Sequence, residues 1–359
     1  MQPAVALALL AGLVWLLDEE GLDMAAVQKQ FDEFHSNIKL DEDDENAKLR
    51  EKRDLLIADL RARLPASAPM FTHIDLGSYA IGTGVLPLDR NYDIDVGLIF
   101  NSTASEYPDP VELKKLVRDA LAYGNRTVVM KRPCVTVNYM KDGKVDYHVD
   151  LSVYVPGSPG PLKLARGKET CPPANRKWLD ADPQGLIDAI NKRLSDAESR
   201  AQFRRCIRYL KRWRDERFDT GKPLSIGLTC AAFYWFSSNI DLFSRKPVDL
   251  LALKSWVATM LANFTSVQTD EGPARRLVVK LPVMPYSDVM SKLTNAQMAV
   301  FEQRLQGLLQ ALADAEAEAL PEAACVHLHR QFGSDFPVPA KEETAKRVAP
   351  AIIHTGTSG

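Results

Sequence analysis

Asp93 and Asp95 flank a single isoleucine in the run YDIDVGLIF, residues 92–100, and this run constrains the fold more than any other stretch. Its apolar residues mark a strand, and in a strand residues i and i+2 point to the same face. Two carboxylates on one face of a partly buried strand are costly without a counter-charge. A divalent metal is the obvious source of that charge. An earlier strand, residues 70–77, ends in Gly77-Ser78. Glycine lets backbone approach a ligand, successive N–H groups there form an anion cradle, and Ser78 adds a hydroxyl. A tight turn alone accounts for Gly77 but leaves Ser78 unexplained.

A third carboxylate comes from a hairpin. The runs VTVNYM and VDYHVDLSVYV flank Lys141-Asp142-Gly143-Lys144, and Asp-Gly is a strong tight-turn signal. In the second run Asp146, His148 and Asp150 alternate with Val145, Tyr147, Val149 and Leu151, giving one polar and one packing face. If this strand lies beside DIDVGLIF, Asp150 joins Asp93 and Asp95 at one end of the sheet. Three carboxylates there repel unless they hold cations, and hard oxygen ligands of this kind suit Mg²⁺. Two such ions activate an attacking hydroxyl and stabilise a leaving pyrophosphate. The plainer alternative makes Asp93 a turn residue and Asp146 and Asp150 solvated strand residues. A lone Asp-x-Asp favours that alternative; one that follows a Gly-Ser does not.

The chain of 359 residues is long enough for two sub-domains with cores of their own. With 46% hydrophobic and 26% charged residues and a formal net charge of -2, bulk electrostatic binding to nucleic acid is not indicated. The five cysteines are scattered, odd in number and without a CxxC pair, which fits reduced thiols in a cytoplasmic protein. Cys325, His327 and His329 lie close in sequence, but no partner cluster makes them a metal site. The apolar run PAVALALLAGLVWLL is short for a membrane span and has no basic flank. It reads as a docking helix, or as an extension ahead of a start at Met24, rather than as a secretion signal.

Residues 1–24 are therefore set apart as an apolar extension, and 25–64 read as a helical lead-in broken at DEDDEN. A core of strands and helices is expected over 65–175, with Pro110 to Tyr123 an amphipathic helix opening after Asp109. Residues 156–176, rich in Pro, Gly and basic groups, read as a loop crossing between sub-domains. A helical domain is expected over 176–336 and a flexible tail over 337–359. No internal repeat is visible.

The order LGSYAIGTG, then YDIDVGL, then HVDLSVYV resembles the DNA polymerase β-type nucleotidyltransferase superfamily. More narrowly it resembles the bacterial enzymes related to cyclic GMP–AMP synthase and oligoadenylate synthase, the cGAS/DncV-like nucleotidyltransferases. The resemblance runs from about residue 50 to 330, although the 14 residues between Ser78 and Asp93 are a long spacing for it. It implies an α+β fold: a polymerase β-like core with a mixed sheet and flanking helices, joined to a C-terminal helical bundle across a central cleft. It also implies that Gly77 and Ser78 hold a triphosphate while Asp93, Asp95 and Asp150 hold two Mg²⁺ ions, which Mn²⁺ can replace. In SRAQFRRCIRYLKRWRDE, Phe203, Ile207, Leu210 and Trp213 form an apolar stripe. Beside it crowd Arg200, Arg204, Arg208, Lys211 and Arg212, without interleaved acids, as fits a surface facing phosphates. Such a face is more often simply solvated. In the resembled family a lysine on this helix and a serine opening the next contact the donor phosphates. Lys211 and Ser225 match those places and Arg208 shares their face, although helix capping alone would explain Ser225.

The resemblance thus implies an enzyme joining nucleoside triphosphates, ATP first among them, into a cyclic oligonucleotide that signals against phage. Its closest echo is of relatives associated with adenine-only cyclic trinucleotides. Alternatives are a polymer- or small-molecule-directed nucleotidyltransferase and a catalytically silent nucleotide-binding regulator. An activating partner is implied too: a HORMA-domain protein with an AAA+ remodeller, or a ubiquitin-transferase-like protein that conjugates the tail. No membrane association and no stable nucleic-acid partner are expected.

Overall fold

The computed structural model describes residues 27–40, 45–89, 92–124, 126–141, 144–157 and 159–340. The apolar N-terminal run, the Asp142-Gly143 hairpin tip, the Asp146 side chain and the tail beyond 340 lie outside the described residues. Two helices lead in, α1 (residues 27–38) and α2 (Glu45–Arg63). They are followed by β1 (Phe71–Asp75), the short α3 (Gly77–Ile81), β2 (Tyr92–Phe100) and α4 (Pro110–Leu121). Asp109 caps α4, its side chain accepting the Val111 N–H at 3.0 Å, and Pro110 takes the first turn, where no N–H is needed.

The strands β3 (Arg126–Met130), β4 (Val135–Lys141) and β5 (Lys144–Gly157) complete a sheet in the order β1-β2-β5-β4-β3. β2 and β5 are parallel and the other neighbours antiparallel, so the sheet is mixed. The alternation in β2 decides its two faces. Ile94, Val96, Leu98 and Phe100 are buried in a core shared with Leu56, Leu60, Leu113 and Val117 of α2 and α4. Asp93, Asp95 and Ile99 point the other way, and Ile99 packs against the core of the helical half.

That half holds α5 (Pro183–Asn191), α6 (Ala197–Arg217), α7 (Ser225–Trp235), α8 (Asp249–Ala262), α9 (Asn295–Ala317) and α10 (Pro321–Phe332). Its core gathers Phe31 and Phe34 of α1 with Phe203, Ile207, Leu210 and Trp213 of α6, the stripe expected from helical spacing. Two readings need correction. Residues 156–176 are not one crossing loop: within them β6 (Gly160–Arg166) pairs with β5 and with the following β7 (Lys177–Ala181), extending the sheet. The helical half is interrupted by a hairpin of β8 (Phe264–Thr269) and β9 (Gly272–Leu277).

Candidate functional site

The parallel register of β2 on β5 sets Asp93 opposite His148 and Asp95 opposite Asp150. The three carboxylates predicted to meet are therefore on adjacent strands, on the face turned toward the helical half. Asp93 Oδ1 lies 3.2 Å from His148 Nε2. Ligand atoms of Asp93, His148 and Asp150 all fall within 4.8 Å of one another. Asp150 also accepts a hydrogen bond from the Thr136 hydroxyl, and Lys131 Nζ stands 3.6 Å from its Oδ1.

Asp95 is tied to the Gly-Ser turn instead. The Leu76 N–H donates to the Asp95 carbonyl at 3.0 Å, which lays the start of α3 across β2. At Gly77, whose φ is +64°, an added Cβ would stand 2.0 Å from Asp95 Oδ2. Only glycine permits both this backbone conformation and this approach. Burial, reinforced by the charges of Asp93 and Asp150, pushes the Asp95 carboxyl up to about 7. The Asp93 hydrogen bond raises the His148 imidazole in turn. A carboxyl held out of its charged form by its neighbours is what a cation would relieve. The oxygen donors, with one imidazole nitrogen among them, thus fit a divalent metal. His148 was legible as a member of this face, since it alternates with Asp150, but its contact with Asp93 needed the register.

The basic helix departs from expectation. Arg208, Lys211 and Arg212 of α6 are buried, and each donates to a backbone carbonyl of the segment after α3, while Arg208 also meets the His35 ring and Arg212 pairs with Asp335 at 3.1 Å. Arg208 donates to Gly82 O at 2.6 Å and Gly84 O at 3.1 Å. Lys211 Nζ donates to Thr83 O at 3.0 Å and Thr83 Oγ1 at 3.1 Å, and Arg212 donates to Leu86 O at 2.8 Å. Burial, with Arg214 and Arg208 nearby, lowers Lys211 to about 7. Acids from other elements also meet this helix, Asp249 at Arg205 (2.7 Å) and Asp335 at Arg212 (3.1 Å). Ser225 is the first residue of α7 rather than its cap, and its hydroxyl accepts a hydrogen bond from Arg214. Beside Ser78 a cleft of about 260 Å³ opens, with Tyr79, Arg50 and Arg208 among its walls. On α10, Cys325 is buried, His327 pairs with Glu318 and the His329 ring meets the Phe336 carbonyl.

The strands that carry this cluster match a known family. Residues 72–154, from β1 through the Asp150 strand, match the model described as "Cyclic GMP-AMP synthase DncV-like, nucleotidyltransferase domain". The resemblance to cGAS/DncV-like nucleotidyltransferases is thereby borne out. A curated relative, the cyclic GMP-AMP synthase of Escherichia albertii, is 29% identical over 176 residues, 45% of this chain. The match spans 36% of that relative, about a third of its length. Among solved structures, Bradyrhizobium diazoefficiens CdnG in complex with GTP superposes with a TM-score of 0.62 at 17% identity, covering 86% of this chain and 96% of that one. Escherichia coli MS115-1 CdnC with ATP gives 0.61 at 19% identity, covering 86% and 98%. At these identities the likeness shows the fold, and the fold of the nucleotidyltransferase domain joined to its helical half is shared with both. Among the described residues no helix is long and apolar enough to cross a membrane.

Proposed function

We propose that this chain joins nucleoside triphosphates into a short cyclic oligonucleotide, with release of pyrophosphate. The observation that carries the proposal is the meeting of Asp93, Asp95 and Asp150 on two parallel strands directly against Gly77. The carboxylates would hold the divalent cations, Mg²⁺ or Mn²⁺ in place of it, which supply Lewis-acid stabilisation to the attacking and leaving oxygens. Gly77 and Ser78 cradle the donor triphosphate through backbone N–H groups and a hydroxyl. Lys211, with Arg208 and Ser225, adds to the phosphate grip from the helical side. A hydroxyl of the acceptor nucleotide attacks the donor α-phosphorus, and its proton passes to a carboxylate of the cluster. The bond from that phosphorus to the bridging oxygen breaks, and the electron pair leaves with pyrophosphate.

ATP is the substrate we assign first and cyclic tri-adenylate the product, on the resemblance of GSYAIGTG and YDIDVGL to relatives of that kind. A solved ATP complex of CdnC agrees with ATP, while the GTP complex of CdnG keeps other bases in the test. CdnC also has a structure in complex with a HORMA protein, which supports a HORMA-type activator here, with phage defence as the setting. The test is incubation of the full chain with each triphosphate, singly and mixed, with Mg²⁺ or Mn²⁺, and mass analysis of phosphatase-resistant products. A phosphatase-resistant cyclic adenylate supports the reading. A linear tail on an added RNA primer, with no such small product, overturns it.

A further inference from the structure

We propose that Lys131 binds the 5′-phosphates of the acceptor nucleotide, and that buried Lys114 is the positioning residue that sets it there; this rests on the nucleotidyl-transfer reading. In-line displacement places the attacking hydroxyl opposite the leaving pyrophosphate across the α-phosphorus. The leaving end belongs to Gly77-Ser78, on the β1 side of the carboxylates. The acceptor must then arrive from the other side, over β5 and β4. The register shows what lies there. Asp150 is opposite Thr136 and Thr136 opposite Val129, so Lys131, two residues beyond Val129, continues the same face. Lys131 enters this face from the β3 end, three strands away from β2, and its side chain reaches back until Nζ stands 3.6 Å from Asp150 Oδ1, so a phosphate it holds lies over β5 and β4 beside the carboxylates. Along the next row His148, Asn138 and Thr127 follow one another, with Thr127 and Val129 exposed, so this shelf is open.

Lys131 is 46% exposed in its side chain, yet its backbone is held fast. Its N–H donates to Cys134 O at 3.0 Å, closing the β3–β4 turn. Lys114 of α4, with 0% exposure, spends its donors on Lys131 O at 2.7 Å, Arg132 O at 3.1 Å and Gly167 O at 2.6 Å. A buried ammonium with three carbonyls and no carboxylate is an unusual expense for a surface turn, unless the turn must hold a position. With a cation held among the carboxylates, Asp150 no longer needs the Lys131 ammonium 3.6 Å away, which is then available to a phosphate. The competing account makes Lys131 only a counter-charge to Asp150.

The experiment supplies ATP as donor and offers ATP and adenosine together as acceptors, with GTP and guanosine in parallel. The product ratio is read by mass. Wild type should favour the phosphorylated acceptor. Lys131→Met should cut that preference by about ten- to a hundred-fold, the worth of a charge-assisted hydrogen bond. Lys131→Arg should restore most of it, and Lys114→Met should reduce it as well. A counter-charge role would lower transfer to both acceptors alike, and an unchanged ratio in Lys131→Met overturns the proposal even if Lys114→Met does not fold. If wild type transfers to neither acceptor, as a chain that awaits its activator would, calorimetry with ATP and Ca²⁺ decides this proposal. Two ATP sites in wild type and one in Lys131→Met support it. Equal stoichiometry in the two proteins overturns it.

Discussion

Gly77→Ala separates two demands that one glycine meets. The φ of +64° costs an L residue about 1–2 kcal/mol, whatever surrounds it. The new methyl would also meet Asp95 Oδ2 at 2.0 Å, Cγ at 2.8 Å and Cβ at 3.0 Å. Ordinary contacts of this kind begin near 3.4 Å, so the carboxylate must retreat by about 1 Å or more. A misplacement of that size at a reacting centre costs on the order of a hundredfold in rate. Gly124 provides the control, since its φ is +67° and nothing lies within 4 Å of an added Cβ. Both variants should lose a few degrees of thermal stability, at roughly 2–4 °C per kcal/mol for a chain of this order of size. Only Gly77→Ala should lose pyrophosphate release, by about a hundredfold. The assay pairs a pyrophosphate-coupled rate with thermal unfolding. Comparable rates in the two variants would show that the Asp95 carboxylate tolerates displacement, and the geometric argument would fail.

Asp93→Asn, Asp95→Asn and Asp150→Asn should each abolish pyrophosphate release while leaving the metal-free melting temperature equal or higher, because each relieves repulsion in the cluster; a clear loss of stability would contradict this. The pH dependence has a definite sign. With the folded Asp95 pKa at about 7, the folded state binds the extra proton between the unfolded value near 4 and about 7. The metal-free protein should therefore lose stability as pH rises through that window, and the difference curve against Asp95→Asn should show it; a flat difference refutes the assignment. Lys211→Ala should raise the Michaelis constant for the triphosphate through the lost charge and also lower kcat through release of the Thr83 segment that Lys211 holds. An unchanged constant would leave Lys211 a purely structural residue on Thr83.

What the sequence disclosed depended on period and what it hid depended on register. β2 and β5 were legible because carboxylates alternate with apolar residues at a spacing that only a strand explains. Their adjacency was a conditional expectation until the pairing of Asp95 with Asp150 was seen. β6 and β7 were obscured because PLKLAR and KWLDA are short and lie in a stretch dense in Pro, Gly and Lys. They form because the far half of β5 offers an edge, with Tyr154 opposite Leu164. The β8–β9 hairpin was missed between two long helices, where neither of its strands has a clean alternation. α6 displayed its charges but not their partners, among them backbone carbonyls more than 120 residues away and the carboxylates of Asp249 and Asp335.

Those partners explain the long spacing between Ser78 and Asp93. Its first part, residues 82–86, is fastened on two sides. From α6, three buried cations take the carbonyls of Gly82, Thr83, Gly84 and Leu86. From the end of α1, Ile38 O accepts the Leu86 N–H at 2.9 Å and Lys39 bridges to Val85. A carbonyl left buried without a partner costs about 1–3 kcal/mol, so removing these cations would release the segment rather than merely thin a charged surface. The close approach of Gly77 to Asp95 requires such bracing, because a backbone against a carboxylate with no space between them has only one workable position. The sheet holds Asp95, and the helical half holds the chain that leaves Gly77. A basic run over residues 200–212 with no acid inside it and an overlong spacer are each anomalous alone; together they are the two sides of one joint, and the carboxylate cluster lies where that joint meets the sheet.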